Sequence, residues 1–253
     1  MNAFAIASLV LACVLAGGWL GFWFSTILPE HHLSAHSRES VKQAVAVLST
    51  LTALVLGLVI GSAKSSYDAK GDALTAMAAE IILLDRNLAQ YGPETGQART
   101  LLRASTETAI NAIWADDSVR FAEIESVASR STLEGIQREI RGLSPQNDAQ
   151  RVLKARAIDV ASDLAKTRWL TLARSGGSIP APFLAIVVLW LGLMFVGLGL
   201  LAARNGTVVA ASLAVALAVS AAIYLILELD TPYAGLITLS DAPLRLALQH
   251  LGR

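Results

Sequence analysis

Four long runs of apolar residues dominate the pattern along the chain. Each is close to the length of about 20 residues that a helix needs to cross the hydrocarbon core of a bilayer. None of them contains Asp, Glu, Lys, Arg or His, and they cover residues 4–28, 44–63, 181–203 and 207–227. The pattern predicts an all-α membrane protein with four transmembrane helices.

A cleaved signal peptide is the alternative interpretation of the first run. No Lys or Arg precedes this run, and its apolar residues continue to Leu28, well beyond Cys13. A signal peptide has a basic start and a short apolar core, so we expect the first run to be retained as a span. Cys13 is the single cysteine, which excludes an internal disulfide and a cysteine zinc site.

The region between the second and third runs mixes charged and apolar residues at helical spacing. Gly92-Pro93 and the segment 142–145 interrupt this pattern, because Gly and Pro end helices. The pattern predicts that the second transmembrane helix continues to Tyr91 and that three further helices follow, over 94–114, 119–140 and 146–172. The predicted organisation is transmembrane helices 1 and 2 (1–63), a helical cytoplasmic domain (64–180), transmembrane helices 3 and 4 (181–228) and a cytoplasmic C-terminal tail (229–253).

Six apolar residues recur at alternating intervals of three and four directly after the second span. This spacing is typical of a coiled-coil seam. The seam either forms the core of a bundle within one chain or pairs with other subunits, and the pattern allows both. Its residues are Leu74, Met77, Ile81, Leu84, Leu88 and Tyr91.

Composition and charge narrow the classes of function. The hydrophobic fraction is 54%, the mean hydropathy is +0.55, and 20 basic residues balance 20 acidic ones. There is no basic surplus for a nucleic-acid partner, and no nucleophile elbow, P-loop, dinucleotide fingerprint or zinc-protease motif. We expect neither an enzyme nor a bound cofactor.

Basic residues near the spans predict the orientation, since positively charged loops stay in the cytoplasm. With four spans, the N-terminus, the large domain and the tail share one side. That side has six basic residues near the membrane against three on the other, which predicts a cytoplasmic (inner) membrane protein with both termini in the cytoplasm. The six are Lys64, Lys70, Lys166, Arg168, Arg174 and Arg245, and the three are Arg38, Lys42 and Arg204.

Three histidines, His31, His32 and His36, crowd the predicted extracytoplasmic loop. His32 and His36 would share one face of a helix and could hold a metal. No cysteine or close carboxylate pair completes such a site, so a loop that titrates near neutral pH is the favoured interpretation and no metal is expected.

The second span carries two different stripes. Gly57 and Gly61, like Gly17 and Gly21 on the first span, have the GxxxG spacing that lets helix backbones pack closely. The other stripe either packs within one subunit or lines a narrow pore in an oligomer, where an apolar constriction can gate by losing its water. Beyond it, Lys64 and Lys70 would concentrate anions. The proposed pore-lining residues are Leu51, Val55, Leu58 and Ser62.

The run that follows the fourth span, Asp-Thr-Pro-Tyr-Ala-Gly from Asp230 to Gly235, is the most distinctive. Together with Leu56 to Gly61, Ser66-Tyr67-Asp68 and Ala79-Glu80, it resembles the bacterial bestrophin-like family. The order of elements is similar over nearly the whole chain. The motif residues that carry the resemblance are Glu80, Asp230, Pro232, Tyr233 and Gly235.

The resemblance implies a four-span subunit of a ring-shaped anion channel with its pore along the second span. The expected partners are then the lipid bilayer, further copies of the chain and inorganic ions. From the residues alone, Pro232 bends the chain and Gly235 permits a positive φ, which favours a docked loop. The alternative function is a non-conducting membrane scaffold or sensor that acts through its helical domain.

Overall fold

A computed structural model describes residues 3–29, 34–114, 128–173, 181–203, 205–233 and 235–252. These residues form helices and no strands, which confirms the all-α prediction. Part of the third predicted cytoplasmic helix, residues 119–127, lies outside the described residues. The helices are α1 (Ala3–Ile27), α2 (Ala35–Tyr91), a 3-10 turn (Pro93–Thr95), α3 (Gly96–Ile113), α4 (Ala128–Gly142), α5 (Asp148–Ala173), α6 (Ala181–Leu201), α7 (Gly206–Asp230) and α8 (Ala242–His250).

The helices fall into two compact units. The first, here called the apolar unit, comprises Met1–Ser66 and Gly177–Asp230. The second, the polar unit, comprises Tyr67–Gly176 and Thr231–Arg253. The tail after α7 therefore belongs with the inserted helices, and α2 contributes residues to both units. The four helices α1, α2, α6 and α7 are long and apolar enough to cross a membrane.

Close backbone contact holds the apolar unit together. A Cβ atom added to Gly17 would lie 2.7 Å from the carbonyl oxygen of Gly192 on α6, and one added to Gly21 would overlap the carbonyl of Val196. Helices that approach this closely gain van der Waals contact, the main attraction between helices in lipid. The start of α2 also meets α6, where Ser49 donates a hydrogen bond to the sulfur of Met194 at 3.0 Å. Small residues thus position α1 and α2 against α6.

The polar unit has its own hydrophobic core. All six residues of the predicted seam are buried within the chain, and Leu84 and Leu88 have no exposed surface. Five of them, all except Tyr91, pack in one cluster with α3, α4, α5 and α8, in which Leu102, Ile136 and Leu244 are also buried. Of the two interpretations of the seam, the structure shows the internal bundle core.

The start of α5 caps two helix ends in the polar unit. α2 ends at Tyr91, because Gly92 follows with a φ of 140° that no other residue type adopts readily, and Pro93 comes next. The Gln150 side chain donates to the carbonyl of Tyr91 at 3.0 Å. Lys154 donates to the carbonyls of Arg141 and Leu143 at 2.7 and 2.8 Å, at the end of α4. These bonds satisfy carbonyls that a helix end leaves without partners.

Candidate functional site

The apolar part of α2 is the least covered of the four membrane-length helices. Only 6% of its most apolar 18-residue stretch is buried inside the chain, against 22% for α1, 33% for α6 and 22% for α7. An apolar helix with so little contact to its own chain needs lipid or another protein helix around it. The candidate functional surface is therefore the open side of α2.

The predicted pore-lining residues lie on this open side to different degrees. Leu51 is 45% exposed and Leu58 is 67% exposed. Ser62 is also exposed, whereas Val55 is half-buried at the edge of the stripe. The neighbouring Leu54 is exposed as well and widens the apolar surface.

The glycines of α2 differ from those of α1. No atom outside the helix comes within 4 Å of a Cβ built on Gly57 or Gly61, so the close packing predicted for them has no counterpart within the described part of the chain. Gly17 and Gly21 already meet α6. The small-residue stripe of α2 is open to a second molecule.

The family motif after α7 forms a docked loop. The Leu239 N–H donates to the carbonyl of Pro232 at 2.8 Å, and the indole N–H of Trp114 donates to the carbonyl of Leu239 at 2.9 Å. Gly235 has a φ of 109°, which confirms the positive φ expected there. Tyr233 packs against the core of the polar unit. Asp230 is the last residue of α7. The geometry of this run is that of a structural anchor for the tail.

The histidine loop offers no metal site within the described residues. His31 and His32 lie outside them, and His36 is exposed on the first turn of α2. No group of three or more His, Cys, Asp or Glu side chains among the described residues is placed to hold a metal ion.

Comparisons with known proteins agree with this architecture. A family model of the bestrophin-like domain matches residues 12–244. The chain belongs to the bestrophin-like family. No protein of curated function matches this bestrophin-like chain.

Solved structures share its fold at low sequence identity. A bacterial bestrophin homologue from Klebsiella pneumoniae, solved by Zn-SAD phasing, is 16% identical with a TM-score of 0.63, covering 94% of this chain and 97% of that one. A singly substituted form of a bacterial bestrophin homologue from Klebsiella pneumoniae is 15% identical with a TM-score of 0.66 and covers 99% of each chain. Family membership and the four apolar helices together make this bestrophin-like chain an integral membrane protein.

The two lysines predicted to set selectivity are placed differently. Lys64 is exposed, but Lys70 is only 5% exposed and lies inside the polar unit. The selectivity role of Lys70 stays a prediction, and its burial within the chain argues against it. The exposed charges that follow Lys64 along α2 are acidic, at Asp68 and Asp72.

A buried ion pair was not foreseen from the sequence of this bestrophin-like chain. Arg99 on α3 binds Asp85 on α2 through two hydrogen bonds, and the N–H of Gly252 also points to this carboxylate at 3.4 Å. Arg103 donates to the carbonyl of Leu251 at 2.9 Å. The two arginines lie four residues apart, on one face of α3. Arg103 holds the tail directly, whereas Arg99 holds the carboxylate that Gly252 contacts.

Proposed function

We propose that this bestrophin-like chain is a subunit of an oligomeric ion channel in which α2 of each copy faces a central axis. The observation that carries the proposal is the open side of α2, which has both an apolar stripe and a small-residue stripe without partners in the described chain. Family membership and the shared fold with bacterial bestrophin homologues support it.

The small-residue stripe favours a protein neighbour over lipid. Gly57 and Gly61 give lipid chains no side chain to contact, but they let a second helix approach at backbone distance. Adjacent positions on a helix are about 100° apart, so Gly57 and Leu58 face different directions. A neighbouring copy against the glycines leaves the leucines directed to another side. In a ring, that side is the axis.

The leucine stripe gives the pore its gate. Leu51 and Leu58 lie seven residues apart, two turns along the same face, and both are exposed. Repeated around an axis, they form an apolar constriction that closes by dewetting and needs no charged group. Ser62, one turn further, begins the polar side of this constriction.

Charge beyond the constriction sets the ion preference. We assign the anion preference to Lys64, which is exposed just past Ser62. Asp68 and Asp72 lie further along the helix and act against it. The proposed location is the inner membrane with both termini cytoplasmic, and the proposed partners are lipid, further copies of the chain and inorganic ions.

The scaffold alternative loses its main support. Its interaction surface was the seam of α2, and that seam is buried in the core of the same chain. No other described feature favours a scaffold over a channel.

Oligomeric state and flux test the proposal together. Full-length protein is purified in lipid nanodiscs and weighed by native mass spectrometry, and the same protein is placed in liposomes for chloride and sodium flux. The channel requires more than two copies and measurable flux.

Cross-linking shows which helix faces the axis. In a Cys13→Ser background, Leu58→Cys is expected to form disulfide-linked dimers, whereas Leu213→Cys on α7, which is 45% exposed, is not. A monomer, or equal cross-linking at the two positions, contradicts the arrangement.

A further inference from the structure

Glu80 occupies an incomplete polar environment where α2 meets α5. Its Oε1 accepts a hydrogen bond from the hydroxyl of Thr167 at 3.0 Å. Its Oε2 is shielded from solvent and has no hydrogen-bond partner in the described part of the chain. A carboxylate accepts up to four hydrogen bonds, so one bond from a neutral hydroxyl leaves its charge poorly compensated.

The charged group on α5 that acts on Glu80 opposes its ionisation. Asp163 lies one turn before Thr167 and contributes a second negative charge. Burial raises the pKa of Glu80 above its usual value of 4.5, the Thr167 hydrogen bond lowers it, and Asp163 raises it, with a net increase. Folding thus shifts this side chain towards its neutral form relative to the unfolded chain.

Apolar residues flank Glu80, so its ionisation affects the packing of α5 on α2. Met77, Ile81 and Leu84, the next residues along α2 on its core side, are buried in the polar unit. On α5, Leu164 is buried next to Asp163. A charge on Glu80 therefore develops at the edge of an apolar contact between the two helices.

We infer that Glu80 is a proton-binding site that couples protonation to the packing of α5 on α2. The protonated side chain removes the repulsion with Asp163 and turns one carboxyl oxygen into a donor. The ionised side chain weakens the contact between the two helices. If α2 lines a pore, as proposed above, the same proton acts on the pore helix.

The sign of the pH dependence follows from linkage. A group whose pKa is higher in the folded state binds more protons folded than unfolded. Its contribution to stability is fully present below the unfolded value near 4.5 and is lost as the pH rises through the higher folded value. Glu80→Gln imitates the protonated form at every pH.

Thermal unfolding of the full-length protein in nanodiscs tests the inference without any need for conduction. The melting temperature is measured from about pH 8 to about pH 4. We expect Glu80→Gln to have a higher melting temperature than wild type at the alkaline end and the same melting temperature at the acid end. A constant difference over this range, or a Gln variant that melts lower throughout, overturns the inference.

Two substitutions on α5 should change the melting difference between chains with Glu80 and chains with Glu80→Gln in opposite directions. Asp163→Asn removes the repulsive charge, so the difference between the curves should be smaller and level off at lower pH. Thr167→Val removes the favourable hydrogen bond, so the difference should be larger and level off at higher pH. Asp159→Asn is the matched control, an exposed acid one turn away on α5. Equal effects of Asp159→Asn and Asp163→Asn contradict the assignment.

Flux is the second measurement. Wild type is expected to change its flux with cytoplasmic pH, and Glu80→Gln is not. Absence of flux from every variant contradicts the channel, while the melting curves still decide whether Glu80 binds the proton.

Discussion

Arg99 forms a bidentate ion pair with Asp85, in which Nε donates to Oδ1 at 2.7 Å and Nη2 donates to Oδ2 at 3.0 Å. The Asp85 side chain is only 3% exposed, whereas that of Arg99 is 23% exposed. The pair joins α2 to α3 and also contacts Gly252 at the end of the described tail. Substitution of Arg99 and substitution of Asp85 should therefore reduce the stability of the protein by different amounts.

Substitution of Arg99 should destabilise the protein more than substitution of Asp85. Arg99→Ala leaves a buried carboxylate without its cation, which costs about 3 kcal/mol or more, while Asp85→Ala leaves a guanidinium that reaches water. The measurement is the melting temperature of the full-length protein. The double Ala variant should be more stable than Arg99→Ala alone, and exposed Arg86→Ala is the control. A double variant that melts lowest would show that the pair acts through packing instead.

Glycines on α1 and α2 should respond to alanine in different ways. Gly17→Ala places a methyl group 2.7 Å from the Gly192 carbonyl and should destabilise the chain by about 1–3 kcal/mol. Gly61→Ala meets nothing within 4 Å in the chain, so it should leave the monomer fold intact and reduce oligomer mass. Gly18→Ala, with a Cβ at an ordinary 3.7 Å from Phe195, is the control. Melting temperature and native mass separate the two effects, and an unchanged oligomer in Gly61→Ala argues against a neighbour on this stripe.

The positions of the helices were predictable from the sequence, but the contacts that each helix makes were less so. Apolar runs without charges determine the spans, and Gly92-Pro93 ends α2 for reasons local to those two residues. Spacing also identified the seam as a contact face. It did not show whether that face meets the same chain, because a heptad pattern records that a side is buried and not what buries it.

Long-range polar contacts were beyond the sequence pattern. Asp85 and Arg99 look like members of a solvated charged face, and their 14-residue separation gives no sign that they meet. Lys70 likewise follows a membrane span as an interfacial lysine would, yet it is buried. The contact between Trp114 and Leu239 joins residues 125 apart. Such pairs depend on how helices fold back on one another, which local periodicity does not encode.

Orientation follows from the bias of basic residues and is tested with reporter fusions. Alkaline phosphatase fused after Gly96, in the inserted helical region, should be inactive, and green fluorescent protein at the same site should fluoresce. Alkaline phosphatase inserted just before Ser34, in the predicted extracytoplasmic segment, is the positive control. An active phosphatase at Gly96 reverses the proposed topology.

Selectivity is measured as the reversal potential under a salt gradient. Lys64→Glu should move the preference towards cations, and Asp72→Asn should move it towards anions, because each alters an exposed charge on α2. Lys70→Gln is expected to leave the reversal potential unchanged, since Lys70 is buried in the chain. If Lys70→Gln alone shifts the reversal potential, Lys70 and not Lys64 lies in the ion pathway.

The most direct test of a pore along α2 is ion flux through liposomes that contain the Leu58→Ser variant. If Leu58 forms part of a dewetted constriction, a hydroxyl there wets it and flux rises above wild type, and Leu51→Ser does the same. Leu213→Ser is the matched control, because Leu213 on α7 is as exposed as Leu51 at 45%, and it should leave flux unchanged. Flux that stays at the level of empty liposomes in wild type, Leu51→Ser and Leu58→Ser, with the protein inserted and oligomeric, would contradict a pore along α2.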